Sequence, residues 1–295
     1  MDGLIWIAVT ALLIVVPLTW PGWRLRRALA RPLPAASLAL LAANVAPYAL
    51  MEPALQAQLQ RLVVHFLHQK KFVGCGGLVV TEAMRVTIAG LACLLLLNRR
   101  NDVYPALHTI LLYPDEFVVP RSTLGPGGVI TPASQGLLGE SWDDGRVILS
   151  WADVRRGAAR LDQGRNVVLH EFAHQLDTES GAANGAPYLG SVARYRDWAA
   201  VLSRDYAGLQ RDAWYRQPSV LDHYGATSPA EFFAVATETF FEKPHQMADQ
   251  HGALFAEFVR YYRVDPRLWQ TAPAAAAELP EVGAHWMPVR ATNDA

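Results

Sequence analysis

The sequence predicts an α+β fold that is predominantly helical with a small sheet and is preceded by a transmembrane helix. Three observations support this prediction. Helical patterns with cap residues occupy most of the chain. Short apolar runs bounded by turn residues, typical of strands, cluster between residues 109 and 151. A long uncharged apolar run lies at the N-terminus, and the chain of 295 residues, 52% of them hydrophobic, is long enough to bury a full core.

The N-terminal apolar run covers residues 3–23 and contains no charged residue. As a helix it is long enough to cross a hydrocarbon core of about 30 Å. Four arginines follow it, at Arg24, Arg26, Arg27 and Arg31. Because positive charge stays in the cytoplasm, we expect a single-pass anchor in the inner (cytoplasmic) membrane with the remaining chain in the cytoplasm. Pro17 interrupts the run, which leaves open a buried amphipathic segment and a soluble cytoplasmic protein.

Local patterns predict the elements that follow. Helices are expected over residues 37–46, 53–71 and 81–97, with Thr81 as the N-cap of the third. Residues 78–80 predict a short strand, residues 109–119 a strand pair broken at Pro114, and residues 147–151 a strand that is either the sheet edge or internal. Further helices are expected over residues 191–210 and after Ser228.

The most informative motif is His-Glu-x-x-His at residues 170–174. On a helix, His170 and His174 lie on one face and can present two imidazole nitrogens to one tetrahedral zinc ion. Glu171 is then placed to act as general base on a water molecule that attacks a carbonyl carbon. The surrounding residues are mostly apolar, with Asp162 as the expected N-cap, so the helix should be buried. Histidines and a glutamate in such a helix indicate a metal site.

A hydrolytic zinc site needs a third protein ligand and one open position. The histidine-containing extension His-x-x-Gly-x-x-His is absent after His174. Glu231 and Glu238 both qualify, since they lie two turns apart on the helix that Ser228 begins. Ser228 and Glu231 also have the spacing of a capping box, so Glu231 could simply cap its helix. The residues alone leave the choice between the two glutamates open.

Several stretches resemble the Mlc titration factor A family of zinc peptidases, which is related to the catalytic domain of anthrax lethal factor. They are His-Glu-Phe-Ala-His-Gln-Leu-Asp at 170–177, Ala-Asn-Gly-Ala-Pro at 183–187, Tyr-Gly-Ala-Thr-Ser-Pro-Ala-Glu-Phe-Phe at 224–233, Cys-Gly-Gly-Leu at 75–78 and Leu-Leu-Tyr-Pro at 111–114. The resemblance runs from about residue 55 to residue 266. The family resemblance implies a soluble cytoplasmic protein. The predicted N-terminal anchor departs from that pattern.

The resemblance implies one zinc ion per chain, with His170, His174 and Glu231 as ligands. It implies Glu171 as the general base and Tyr224, seven residues before Glu231, as the hydroxyl that steadies the oxyanion. It also implies aminopeptidase-like action on short peptides. Asp177 is then expected either to accept a ring N–H of a ligand histidine or to be solvated at the helix end, and Glu238 to orient a ligand or to bind an amine.

The sequence therefore predicts that the chain has three parts. Residues 1–35 form the anchor and a basic linker, residues 36–270 a zincin-like zinc metallopeptidase domain, and residues 271–295 a poorly ordered tail rich in Ala and Pro. A net charge of −1 gives no global reason to bind nucleic acid. The alternative function is a partner-binding protein that sequesters a transcriptional repressor, and a purely structural metal would need a fourth ligand that the sequence does not offer.

Overall fold

The computed structural model describes residue 6 and residues 22–99, 102–115, 117–124, 130–137, 139–142, 145–159 and 163–270. Within these ranges the fold is α+β and predominantly helical with a small sheet, as the sequence predicts. The helices are α1 Ala35–Asn44, α2 Ala46–Leu50, α3 Pro53–Gln69, α4 Glu82–Leu94, α5 Trp151–Ala159, α6 Val167–Asp177, α7 Val192–Tyr215, α8 Pro229–Glu242, α9 Pro244–Gln250 and α10 Gly252–Tyr262. The strands are β1 Lys71–Gly74, β2 Thr109–Tyr113, β3 Phe117–Leu124, β4 Ile130–Leu137, β5 Gly139–Trp142 and β6 Arg146–Ser150.

Four strands form one sheet in the order β1-β2-β6-β5. Strands β1, β2 and β6 are parallel, and β5 pairs antiparallel with β6 at the edge. The predicted strand at residues 147–151 therefore corresponds to the internal strand β6, and the edge that lies against α6 is β5. Strands β3 and β4 form a separate antiparallel ribbon.

One strand prediction was wrong. Residues 78–80 have no regular structure, and the strand in this region is β1, which begins at Lys71, where the predicted helix over residues 53–71 ends. Strand β1 forms because it pairs with β2, which is far away in the sequence, and local propensity does not reflect such an interaction. The two strands predicted over residues 109–119, with a break at Pro114, are confirmed as β2 and β3, which pair with different partner strands.

The predicted membrane span lies, apart from residues 6, 22 and 23, outside the described residues. Among the helices that the structure describes, none combines the length and the hydropathy needed to cross a membrane. The predicted C-terminal tail also lies outside the described residues.

Helix α6 carries the His-Glu-x-x-His motif and is buried on most sides, as predicted. The apolar residues Val168, Leu169, Phe172, Ala173 and Leu176 are inaccessible to solvent. The N-cap is Asn166 rather than Asp162, which lies outside the described residues. The Oδ1 atom of Asn166 accepts hydrogen bonds from the backbone N–H groups of Val168 and Leu169, both at 3.2 Å. These bonds satisfy two of the free donors at the helix start.

An aromatic cluster holds α7, α8 and α10 together behind the motif helix. The ring of Trp198 stacks on Phe258 with centroids 5.4 Å apart and contacts Phe233 and Tyr261 edge-on. Offset and edge-to-face aromatic pairs contribute roughly 0.5–1.5 kcal/mol each beyond their burial. The cluster therefore gives α8 a rigid support, and α8 packs directly against α6.

Candidate metal centre

The structure brings the three predicted ligand residues together where α6 meets α8. Atom Nε2 of His170 lies 3.2 Å from Nε2 of His174 and 3.0 Å from Oε2 of Glu231. The distance from His174 Nε2 to Glu231 Oε2 is 3.5 Å. Ligand atoms about 2.0–2.2 Å from a tetrahedral ion lie roughly 3.3–3.6 Å from one another. The three atoms are therefore spaced closely enough to bind one ion.

The chemistry of these three atoms also fits a cation. Oε2 of Glu231 is shielded from solvent and makes no well-directed hydrogen bond within the described ranges, although both imidazoles are near. Burial alone would raise the pKa of Glu231, but His170 and His174 lower it to about 2. Glu231 is thus a carboxylate at any physiological pH, and a metal ion would satisfy the oxygen that the protein leaves unsatisfied.

Glu238 orients His170 from the side opposite the three converging atoms. Its Oε1 lies 2.7 Å from Nδ1 of His170, and its Oε2 accepts the backbone N–H of Asn166 at 2.5 Å. A carboxylate at Nδ1 keeps the proton there and leaves the lone pair of Nε2 free to bind a metal. Burial lowers the pKa of His170, but Glu238 and Glu231 outweigh it and raise that pKa well above its ordinary value. The same negative field favours a bound divalent cation.

We expect Glu238→Gln to weaken metal binding by about 10–100-fold, because the neutral amide makes His170 a poorer ligand. Competition with a chromophoric chelator measures this affinity. Glu242→Gln is the matched control, since Glu242 lies one turn further along α8 and does not contact His170. Equal metal affinity of Glu238→Gln and the parent protein would rule out this role for Glu238.

Glu171 is 4% exposed and lies beside the ligand atoms. Its Oε2 is buried and has no hydrogen-bond partner among the residues described. Burial raises the pKa of Glu171 to about 7, although the two histidines act in the opposite direction. A carboxylate without a structural partner, next to a metal cluster, is free to exchange a proton with a bound water molecule.

Tyr224 lies on the open side of the cluster, with its ring 6.0 Å from the ring of His170. Burial, together with Glu231 and Glu171, raises its pKa, so the hydroxyl keeps its proton. The turn that carries Tyr224 is tied to the start of α6. Asp222 accepts the backbone N–H of Tyr224 at 2.9 Å and also binds Nε of Arg165 at 2.7 Å. Arg165 directly precedes the N-cap Asn166, so one ion pair positions both the tyrosine and the metal helix.

Asp177 does neither of the two things that the sequence suggested. It is fully buried, and its Oδ2 accepts the backbone N–H of Gly185 at 2.7 Å. Gly185 has φ +77°, and a Cβ atom there would lie 2.4 Å from the carbonyl oxygen of Pro229. Its own carbonyl accepts Nε1 of Trp198 at 2.9 Å. The loop after α6 is therefore pressed against the start of α8, two residues before Glu231.

Gly185→Ala should destabilise the fold by about 2–4 kcal/mol, through a strained backbone and a steric clash with Pro229. It should also weaken metal binding, because relief of the clash moves Glu231. Urea unfolding and chelator competition measure the two effects. Gly181→Ala is the control, since Gly181 has φ +102° but a Cβ there meets nothing within 4 Å. Equal effects of the two substitutions on metal affinity would contradict the argument from close contact.

Glu242 makes the free energy of unfolding depend on pH. Its Oε2 accepts the backbone N–H of Arg165 at 2.9 Å, and burial, followed by repulsion from Glu238, raises its pKa to about 8. Between about pH 4.5 and 8 the folded chain holds this proton more tightly than the unfolded chain does. This contribution to stability is therefore complete below pH 4.5 and is lost as the pH rises through 8.

Accordingly, Glu242→Gln should flatten the decline of unfolding free energy between pH 5 and 8 by up to about 1.4 kcal/mol per pH unit. Urea unfolding of metal-free protein at several pH values measures the slope. Glu82→Gln, at an exposed carboxylate paired with Arg85, should keep the parental slope. A Glu242→Gln protein with an unchanged slope would show that Glu242 does not retain its proton in the folded state.

Sequence reasoning missed several residues that position the site. Asn166 carried a local signal, because asparagine is among the preferred N-cap residues. The Asn184-Gly185 dipeptide marked a turn, but its contact with Pro229 was not visible in the sequence. The ion pair between Arg165 and Asp222 joins residues 57 positions apart and has no local signature. His223 lies beside Tyr224 but outside the metal cluster.

The site combines two converging histidines on a buried helix with a glutamate from a second helix, beside a small sheet. These features together define a metallopeptidase-like protein. The family model described as glucose-regulated metallo-peptidase M90 matches residues 20–263, and the chain belongs to this family. An uncharacterised protein of Synechocystis sp. is 41% identical over 248 residues, covering 84% of this chain and 90% of that protein. Mlc titration factor A of Serratia proteamaculans is 33% identical over 242 residues, covering 78% and 90%. Mlc titration factor A of Klebsiella pneumoniae is 33% identical over 214 residues, covering 72% and 80%. These matches confirm the family resemblance seen in the sequence.

Proposed function

We propose that the protein is a zinc-dependent peptidase in which Glu171 acts as the general base. The observation that carries this proposal is the convergence of His170, His174 and Glu231, with the buried carboxylate of Glu171 beside them. Two nitrogen donors and one carboxylate oxygen are a ligand set typical of catalytic zinc. Within the described part of the chain the cluster has three ligand residues, which leaves a coordination position for water or substrate.

Zinc bound there would lower the pKa of a water molecule toward neutrality and polarise the carbonyl of a peptide bond. Glu171 accepts the proton of the attacking water and then passes it to the nitrogen of the leaving amine. The hydroxyl of Tyr224 donates a hydrogen bond to the oxyanion that forms on the carbonyl oxygen. Arg165 and Asp222 keep Tyr224 in place, and Glu238 keeps His170 in place, so these groups need little reorganisation during the reaction.

The edge strand β5 supplies a place for an extended substrate. It lies against α6, and a strand at a sheet edge has free backbone groups that can pair with a peptide. Backbone pairing is independent of substrate sequence, so specificity must come from contacts with the side chains of the substrate. Aminopeptidase-like action, which the family resemblance implies, requires that the site hold the substrate's N-terminus near the metal.

The proposal is tested by measuring the metal content of the purified protein together with hydrolysis of a mixed peptide library. We expect about one zinc per chain, cleavage that a chelator abolishes, and recovery when zinc is restored. The positions of the cuts distinguish removal of N-terminal residues from internal cleavage. Stoichiometric zinc without cleavage of any peptide would overturn the catalytic proposal.

A second candidate function is sequestration of a transcriptional repressor, which the name of the relatives, Mlc titration factor A, favours. Titration by binding alone would not require Glu171. We therefore expect repressor binding to survive Glu171→Gln if the two functions are separate. A pull-down of candidate repressors with the parent and the variant distinguishes coupled from independent functions, and absence of binding by both would remove this candidate.

We also propose that residues 3–23 anchor the protein in the inner membrane with the metal centre in the cytoplasm. The support is the uncharged apolar sequence and the arginines that follow it. Fractionation of cells that express the full chain, with and without residues 1–23, tests the proposal. Recovery of the full chain in the soluble fraction would contradict it and favour a cytoplasmic protein.

A further inference from the structure

A cavity of about 370 Å³ lies beyond the C-terminal end of α6 and is lined by four arginines. They come from separate segments of the chain, namely the region after α4, the first turn of α7, the last turn of α10 and the residue after α10. They are Arg99, Arg194, Arg260 and Arg263. Tyr188 and Tyr261 complete much of the wall. Bringing four like charges together costs free energy, which makes the cavity an unusual feature of the surface.

Two of the arginines are largely buried and have definite partners. Nη2 of Arg99 lies 3.1 Å from Oε2 of Glu179, and Nη1 donates to the hydroxyl of Tyr261 at 2.9 Å. Nη1 of Arg194 donates to Oε2 of Glu257 at 2.8 Å. The side chains of Arg99 and Arg194 are only 6% and 15% exposed, so their positions are set by the fold. They form the rigid part of the cavity.

The positive charges of the other two arginines, Arg260 and Arg263, are not balanced by a hydrogen-bonded carboxylate among the described residues. Nη1 of Arg260 is 3.6 Å from Asp197 and 3.9 Å from Glu257, beyond hydrogen-bond distance in both cases. Glu257 is also the partner of Arg194. For Arg263, the described residues provide no carboxylate within 4.0 Å, and its backbone adopts φ +58°. Four guanidinium charges thus face three carboxylates, Glu179, Glu257 and Asp197, and two of the four have donors available.

These properties suit a ligand with anionic oxygen atoms. The planar guanidinium group binds a carboxylate or phosphate through paired hydrogen bonds. The volume of the cavity lies at the lower end of the range for small-ligand sites, large enough for one acidic side chain. The hydroxyl of Tyr188 offers a further donor at the entrance.

The arginine cavity adjoins a second cavity at the C-terminal end of α6, the helix that carries His170 and His174. This second cavity, of about 580 Å³, is lined by Gln175 and Thr178 of the α6 end, and Tyr188 belongs to the walls of both cavities. Thr178 follows His174 by four residues, so it lies about one helical turn, or 5.4 Å, further along the same face. A peptide that lies extended along α6 from His174 toward Thr178 would therefore reach the arginines with a residue several positions from the bond at the metal.

We propose that the arginine cavity binds an acidic side chain of the peptide substrate, several residues away from the bond that is cleaved. This assignment rests on the proposed peptidase function, and it names the substrate class as peptides with an aspartate or glutamate at a defined distance from the cut. The shared wall at Tyr188 favours a residue of the substrate over a free anion, because any occupant of the arginine cavity borders the second cavity, at the end of the helix that carries the histidines.

The test uses fluorescent peptides in pairs that differ only by Glu or Gln at one position, scanned along the peptide. Binding is measured by anisotropy to zinc-loaded Glu171→Gln protein, so that binding is independent of cleavage. We expect the Glu peptide to bind about tenfold more tightly at one or two adjacent positions, because a charge-assisted hydrogen bond is stronger than a neutral one. Arg260→Gln combined with Arg263→Gln, in the same background, should abolish the preference. Arg267→Gln should keep it, because Arg267 is exposed, paired with Asp265 and outside the cavity.

Equal binding of Glu and Gln peptides at every position would overturn the inference. A second experiment measures whether inorganic phosphate displaces the Glu peptide from the protein. Phosphate that competes with the Glu peptide supports the assignment, whereas phosphate that binds through the arginines without displacing the peptide would indicate a separate anion site and overturn it. A charge preference in binding without cleavage by the parent protein would refute the peptidase function alone, and cleavage without any preference would refute the arginine assignment alone.

Discussion

Glu171→Gln is expected to lower kcat/KM for peptide hydrolysis by about 10²–10⁴-fold while the protein keeps its metal. The amide has nearly the shape of the carboxylate but cannot accept a proton from water. Because Oε2 of Glu171 has no structural partner in the described ranges, the substitution removes little that stabilises the fold. Peptide hydrolysis, metal content and urea unfolding should be measured on the same preparations.

Glu82→Gln is the control for the effect of removing one carboxylate elsewhere, and it should leave hydrolysis unchanged. Loss of zinc from Glu171→Gln would mean that Glu171 is a ligand rather than a base. A variant that retains both metal and parental kcat/KM would refute the mechanism, since the other carboxylates next to the histidines have different proposed roles: Glu231 as a ligand and Glu238 as the partner of His170 Nδ1.

Glu231 should prove to be a metal ligand and not merely a helix cap. In the structure the cap is made by Ser228, whose Oγ accepts the backbone N–H of Glu231 at 3.2 Å, whereas the Glu231 carboxylate faces the histidines. We expect Glu231→Gln to reduce metal affinity by more than the 10–100-fold typical of outer-shell partners, because it removes the one anionic ligand. Peptide hydrolysis at limiting zinc should fall in parallel.

The matched substitution is Ser228→Ala, which removes the cap bond and leaves the carboxylate. It should cost about 1 kcal/mol of stability with a much smaller effect on metal affinity. Chelator competition separates the two roles, since only Glu231→Gln should lower metal affinity strongly, whereas both substitutions should lower the stability of the metal-free protein. The reverse pattern, with the larger metal effect in Ser228→Ala, would make Glu231 a capping residue.

The parts of the site that could be predicted from sequence depend on local spacing. His170 and His174 lie four residues apart on one helix, so their relation follows from helix geometry alone. The choice between Glu231 and Glu238 did not follow, because both lie on the same face of α8 and either could approach α6. The packing of α8 against α6 favours Glu231, because it places Oε2 of Glu231 3.0 Å from Nε2 of His170 and Oε1 of Glu238 2.7 Å from Nδ1.

The sheet was harder to predict for a related reason. Strand β1 has four residues and β5 also has four, too few to show an alternating pattern. Each exists because of a partner strand, β2 for β1 and β6 for β5. The helices that begin at Ser191 and Ser228 were predicted well because their start signals are local, with each serine accepting a backbone N–H three residues on.

The three candidate ligands come from two helices separated by about 60 residues of chain, a span that includes the whole of α7. An ion bound by His170, His174 and Glu231 would act as a removable cross-link that closes this long loop. Such a cross-link lowers the conformational entropy of the unfolded chain, because it joins the two ends of the long segment between α6 and α8. This entropy loss grows only slowly with the length of the segment. Loss of the ion would therefore free the ligand side chains and also remove the cross-link between α6 and α8. The stability of the folded chain should thus depend on the concentration of available metal.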